Sequence, residues 1–190
     1  MRLKPDPDKE MRPSVMIPKD TVVPVFITEA EGGQQVIKKT GKTADIYKLK
    51  AKVLSDEFGD KVIKDSLWCM IERSDGGCEQ HGGVAKYAAF VSLTFPDLCN
   101  EDDVFIPDSD EGVKNFAEGF VGKALMAKVG TKSFKNDKGE TINFNTINEY
   151  TEMTNDQTEA VADKLNVLQA VAAATGGAGA FGADDEDLPY

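Results

Sequence analysis

Asp45-Ile46-Tyr47-Lys48-Leu49-Lys50-Ala51-Lys52-Val53-Leu54, DIYKLKAKVL at positions 45–54, decides the fold class. Tyr47, Leu49, Ala51 and Val53 alternate with Lys48, Lys50 and Lys52, the period of a strand with one face in a core and the other in water. Working outward, SDEFGD (55–60) is a turn, and KVIKDSLWCMI (61–71) reads as the next strand. Upstream, TVVPVFITEA (21–30) is an apolar strand that Pro24 demotes to an edge or a bulge. Between them EGGQQVIKKTGKT (31–43) reads as a turn-rich, basic connection. This spacing predicts a meander of hairpins.

Beyond the glycine-rich loop RSDGGCEQHGG (73–83), VAKYAAFVSL (84–93) places Val84, Tyr87, Ala88 and Val91 at helical spacing. EGVKNFAEGF (111–120) does the same with Val113, Phe116, Ala117 and Phe120, which predicts a second short helix. GKALMAKVGTKSFKNDKGETINFNTI (122–147) reads as a hairpin closed by a polar, glycine-containing loop. Thr154 and Gln157 form a capping-box pattern that opens a helix over 155–174, with Val161, Leu165, Leu168 and Ala172 as its apolar stripe. The chain is thus expected to be mainly β, an OB-like small barrel with a short helical insertion and a C-terminal helix. Another small β-barrel or an α+β sheet is the alternative. The expected boundaries are an irregular N-terminal arm at 1–20, the OB-like domain at 21–153, the helix at 154–175, and a flexible linker with an acidic tail at 176–190.

Composition narrows the classes further. With 190 residues, 41% hydrophobic and 29% charged, the chain suits one globular domain with appendages. No apolar run approaches the roughly 20 residues of a membrane span, and the N-terminal stretch lacks the apolar region of a secretory signal. Three cysteines at scattered positions argue against a disulfide framework and for a reducing compartment. The net charge of −11 is unevenly spread. Residues 151–190 carry −7 and residues 97–111, DLCNEDDVFIPDSDE, another −7, so the rest of the chain stands at +3. The body is mildly basic, and the acid sits in one loop and one tail.

Signatures of catalysis are sparse. His81 is the single histidine and lies in a glycine-rich loop near Cys78, without a nucleophile-elbow context. Neither a P-loop nor a dinucleotide fingerprint occurs. Cys69, Cys78, His81 and Cys99 could be counted as zinc ligands, but only Cys78 and His81 have the short spacing such sites use. Core positions explain Cys69 and Cys99 more simply. The acidic loop lacks the calcium-binding EF-hand pattern, and a two-metal nuclease needs its carboxylates on rigid elements. No cofactor and no catalytic residue is therefore expected.

The basic faces point elsewhere. Lys48, Lys50 and Lys52 line one side of a strand. In LMAKVGTKSF, Lys128, Lys132 and Phe134 share a face, with Lys135 and Lys138 in the loop beyond and Lys38, Lys39 and Lys42 in the first long connection. Lysines that track phosphates beside an aromatic such as Trp68 or Phe134 are what single-strand binding requires. Trp68 and Phe144 suit a core equally well, so the stacking residues stay open. Strand lysines also serve to block edge aggregation.

The end of the chain, Asp184-Asp185-Glu186-Asp187-Leu188-Pro189-Tyr190, adds a motif: four acids, then an apolar residue, a proline and an aromatic. It resembles the acidic tip of bacterial and phage single-stranded DNA-binding proteins, with Tyr190 where that family ends in phenylalanine. Residues about 21–150 look like the phage-encoded OB-fold branch of the family. The resemblance implies a non-enzymatic protein that protects single strands in phage DNA replication or recombination, in the cytoplasm of an infected bacterial host. It also implies that the tail recruits replication or recombination proteins, and that the protein does not act at a membrane. A flexible polyanion near a basic groove competes with nucleic acid at high effective concentration. The alternative reading is an interaction module that binds a host protein and no DNA. Homo-oligomerisation is possible, because the stripe of the C-terminal helix could pack on its own sheet or on a second subunit.

Overall fold

The computed structural model describes residues 16–175 apart from 39, 60, 73–77, 101, 102 and 137. The elements in chain order are β1 (Val22–Val36), β2 (Thr43–Val53), β3 (Val62–Glu72), β4 (Cys78–Gln80), α1 (Val84–Thr94), α2 (Asp110–Glu118), β5 (Ala124–Lys135), β6 (Thr141–Thr151), α3 (Asn155–Ala160) and α4 (Ala162–Thr175), with a 3-10 turn at Pro96–Leu98. The protein is mainly β. Its strands form one antiparallel sheet in the order β4-β3-β2-β1-β5-β6. After the meander β1-β2-β3, the chain returns to lay β5 beside β1, which is the Greek-key order.

β2 is the strand its alternation foretells: Tyr47, Leu49, Ala51 and Val53 are buried, and Lys48, Lys50 and Lys52 are only partly covered. β1 departs from expectation in two ways. Of the edge or bulge that Pro24 suggests, it is not an edge, since β2 and β5 flank it, but its register with β2 does shift between Ile27 and Glu29. Pro24 is tolerated because the ladder with β2 begins one residue later, at Val25 opposite Val53. β1 also runs straight through EGGQQV to Val36, so the turn shrinks to residues 37–42. The glycine that looked like a turn signal has a packing role: a Cβ on Gly32 would lie 2.2 Å from the Val113 carbonyl oxygen of α2. Helix and strand approach too closely there for any side chain.

The core fills the inner face of the sheet. α1 buries Tyr87, Phe90 and Val91, each contributing about 1.5–3 kcal/mol if fully withdrawn from water. Tyr87 stacks on Tyr47 at 5.4 Å, and Phe90 meets Phe120 edge-on at 4.9 Å. The N-terminal arm is docked from residue 16 on. Ile17 is buried, and its backbone N–H and carbonyl both bond the Asn145 side chain of β6.

The expected barrel is not closed by backbone pairing. Among the described residues no ladder joins β3 to β6, and the sheet stays open. Its curl nevertheless brings the two strands together through side chains, with α1 across the seam. Asp65 of β3 accepts hydrogen bonds from Thr146 (3.3 Å) and Tyr150 (2.8 Å) of β6. Lys86 of α1 donates to both Asp65 oxygens, at 2.7 and 2.9 Å, and to the Ile147 carbonyl at 2.9 Å.

The C-terminal helix is two helices. Thr154 and Gln157 form the reciprocal capping box at the start of α3, and the chain breaks at Val161 before α4. Val161 and Leu165 pack with Phe26 and Leu54, with Leu168 and Ala172 alongside. The apolar stripe therefore covers this chain's own sheet. No helix among the described residues is long and apolar enough to cross a membrane.

Candidate nucleic-acid interface

The outer face of β3 carries Lys64, Ser66 and Trp68, because Ile63, Asp65, Leu67 and Cys69 point inward. Across the seam, β5 and β6 place Lys132 in register with Phe144. Between them lies a groove of about 290 Å³, lined by Lys64, Ser66, Trp68, Lys132, Phe144 and Asn148. The floor is the Asp65–Lys86 pair, whose side chains are 1% and 22% exposed. Lys86 is neutralised there, so the positive charge of the groove comes from its rim, Lys64 and Lys132. Tyr150, fully buried against the Asp65 carboxylate, has its phenol held well above the usual range by burial, and then by that charge and hydrogen bond.

Trp68 is flanked by His81, the rings 4.8 Å apart and nearly parallel. The Gly83 backbone N–H donates to His81 Nδ1 at 2.9 Å, so the neutral imidazole carries its proton on Nε2. Partial burial lowers the pKa of His81. On the other side of β3, Lys64 is directly opposite Lys50 of β2, and Ser66 opposite Lys48. Like charges in register repel; Glu29 of β1, 2.9 Å from Lys50, offsets part of that repulsion.

The residues expected from sequence divide into groups. Trp68 and Lys132 line the groove, and Phe134 adjoins it through an edge-on contact with Phe144 at 5.8 Å. Lys135 and Lys138 are exposed at the tip of the β5–β6 hairpin. Lys48 and Lys50 lie one strand away from the groove, on the same outer face. Lys38 and Lys42 lie in the β1–β2 turn, while Lys39 lies outside the described residues. Two lie away from the groove. Lys52 rims a separate cleft of about 580 Å³ between the end of β2 and α4. There Lys164 donates to the Leu54 carbonyl and to Asp56, whose pKa that bond lowers. Lys128 lies between Val22 and Glu149, 3.5 Å from Asp20, and does not line the groove. The tail residues Asp184 to Tyr190 are outside the described residues.

Sequence reasoning missed Lys64, Lys86 and Asn148. The signal for Lys64 was available, since KVIKDSLWC alternates as DIYKLKAKV does, with Lys64 outward. Asp65 was equally legible as a carboxylate at an inward position of that strand, the mark of a buried network. Cys69 sits in the core, where burial pushes its thiol up to about 12, and Cys99 packs at the core's edge. The Cys78 side chain is outside the described residues, among which no cluster of three or more potential metal ligands occurs. No protein-family model matches the chain, and neither a characterised protein nor a solved structure matches it.

Proposed function

We propose that the protein binds single-stranded DNA without acting on it, along the groove between β3 and the β5–β6 hairpin. The observation that carries this reading is the convergence of Trp68 and Phe144 with Lys64 and Lys132 on one concave surface, continuous with Lys48 and Lys50. Aromatic faces take bases at about 1–3 kcal/mol each, and lysines follow the phosphates. OB folds bind oligonucleotides on the face of their second and third strands and in the loops joining strands one to two and four to five. The counterparts here are the outer face of β2 and β3, the turn at 37–42, and the loop at 136–140. Lys38, Lys42, Lys135 and Lys138 lie on or beside those two loops. The floor of the groove is a hydrogen-bonded network of Asp65 with Lys86, Thr146 and Tyr150.

In this reading the acidic segment at 184–187 competes for the groove and, when DNA displaces it, presents Leu188, Pro189 and Tyr190 to a replication or recombination partner of the phage or its host. Anisotropy of labelled oligo(dT) tests both parts, with the whole chain and with a chain ending at residue 175. Binding that is tighter for the shortened chain is expected. Absence of binding by both chains at low salt overturns the proposal, and equal affinities overturn the competition.

A further inference from the structure

Trp68 lines the groove, yet it belongs to neither apolar cluster of the protein, and its indole N–H makes no hydrogen bond among the described residues. Ile46 lies opposite it in the β2–β3 ladder. The described ring in contact with the indole is that of His81, with centroids 4.8 Å apart and planes 22° from parallel. His81 is itself tethered. Its backbone N–H donates to the Cys69 carbonyl at 2.8 Å, one residue past Trp68, and its carbonyl accepts from the Val84 N–H at 2.9 Å, at the start of α1. Its ring is held by the Gly83 N–H, which donates to Nδ1 at 2.9 Å. The loop backbone closes on the pair: a Cβ on Gly83 would lie 3.1 Å from His81 Nδ1 and 3.4 Å from Trp68 Cβ. Trp68 and Gly83 line the groove and His81 does not. The imidazole therefore covers the face of the indole turned away from the groove and leaves the other face to it.

We propose that His81 is a positioning residue for DNA binding, backing Trp68 so that the indole offers one face, already oriented, to a base of the bound strand; this rests on the nucleic-acid reading given above. Every base has a π-face, so such a platform strengthens binding without selecting a sequence. A side chain ordered in the free protein does not have to be ordered on binding, and for one flexible side chain that is a factor of about two to ten in affinity. With one face covered, Trp68 holds one base and cannot be sandwiched between two. His81 acts here by contact and not by charge. Its Nδ1 accepts the Gly83 N–H, so the ring is neutral, and it meets no phosphate. Its removal therefore weakens binding by the same factor at any salt concentration, whereas loss of a phosphate-binding lysine changes the salt dependence itself.

Anisotropy of labelled oligo(dT), at about 50 mM and about 200 mM salt, tests the assignment. The chains compared are the unaltered protein, His81→Ala, His81→Phe, Trp68→Ala and the double variant Trp68→Ala with His81→Ala. His81→Ala should bind about fivefold more weakly at both salt concentrations. Without DNA, the emission anisotropy of its Trp68 should fall, because the unbacked indole turns more freely. His81→Phe, which puts a flat ring back behind the indole, should recover most of the affinity. The losses should not add: with Trp68 gone there is no platform to orient, so the double variant should bind about as Trp68→Ala does. A general loosening of the loop would instead weaken binding again in the Trp68→Ala background. Full affinity in His81→Ala, no recovery in His81→Phe, losses that multiply in the double variant, or a loss that changes with salt overturns the assignment and leaves DNA binding intact. Failure of the unaltered protein to bind oligo(dT) at the lower salt overturns the DNA-binding reading itself.

Discussion

Replacing Asp65 with alanine removes the one acceptor that joins α1, β3 and β6. Four hydrogen bonds end on its carboxylate: two from Lys86, one from Tyr150 and one from Thr146. Deleting one partner of a buried ion pair costs about 3–5 kcal/mol, because the remaining charge is left buried and unpaired. Lys86 is 22% exposed and can turn partly toward water, which lowers that figure. The Tyr150 hydroxyl has no such escape, and a buried donor without a partner costs about 1–3 kcal/mol. A net loss of about 4 kcal/mol follows, a large share of the roughly 5–15 kcal/mol that holds a domain together. For a chain of this length it lowers Tm by roughly 10 °C. Urea and thermal unfolding followed by far-UV circular dichroism measure it, with Trp68 emission as a second probe. Asp65→Ala combined with Lys86→Met should recover part of the loss, since the stranded ammonium is gone. A Tm within about 2 °C of the unaltered protein, or a double variant as unstable as the two single losses added together, refutes the account of the seam.

Two further outcomes follow from the geometry. Because burial depresses the pKa of His81, the unfolded chain takes up that proton first as pH falls through about 6.5, the ordinary histidine value. The contribution of His81 to stability is thus present above that pH and lost below it. Trp68 emission should titrate with a midpoint under 6.5 and should not do so in His81→Phe; a midpoint at or above 6.5 contradicts the stacked, neutral imidazole. In the small cluster under α4, Leu165→Ala should cost about 2–3 kcal/mol, the low end for a buried leucine, because a helix on the rim of the sheet can settle into the space. Hydrogen exchange should show α4 losing protection before β2 does. Val167→Ala, at a position 64% exposed, should change neither.

What could be read in the sequence was local. The alternation in DIYKLKAKVL specified β2 and its two faces, and Thr154 with Gln157 specified the capping box. Both depend only on residues within a few positions of each other. The misreadings share a different cause. Gly32 and Gly33 read as a turn because two adjacent glycines mark one far more often than a strand crossed by a helix, and the helix concerned lies some 80 residues on. Pro24 signalled an edge or a bulge, but strand order is a tertiary property, and the offset between the two ladders of β1 frees that one position from pairing with β2, while the register shift falls further on, between Ile27 and Glu29. The break at Val161 follows from the fit of α4 against Phe26 and Leu54, and no residue at 161 announces it.

The same distinction governs the site. Outward lysines are visible from alternation, but which of them face one another depends on register and on the curl of the sheet. Lys132 and Lys128 share a face of β5 in sequence terms, yet one meets Phe144 and the other Asp20. Trp68 was ambiguous between core and surface until His81 was found stacked on it and the groove found beside it. Asn148 gave no signal at all, because its place on the groove wall, close against Gly130, depends on the pairing of β5 with β6.

Titration of Trp68 emission with oligo(dT), at about 50 mM and again at about 200 mM salt, tests the central claim most directly. The lone tryptophan lines the groove, so it reports on that surface alone. The account predicts a saturable change in emission whose affinity falls steeply between the two salt concentrations, as phosphate–lysine contacts require. Binding that leaves Trp68 emission unchanged, or no binding even at the lower salt, would contradict it.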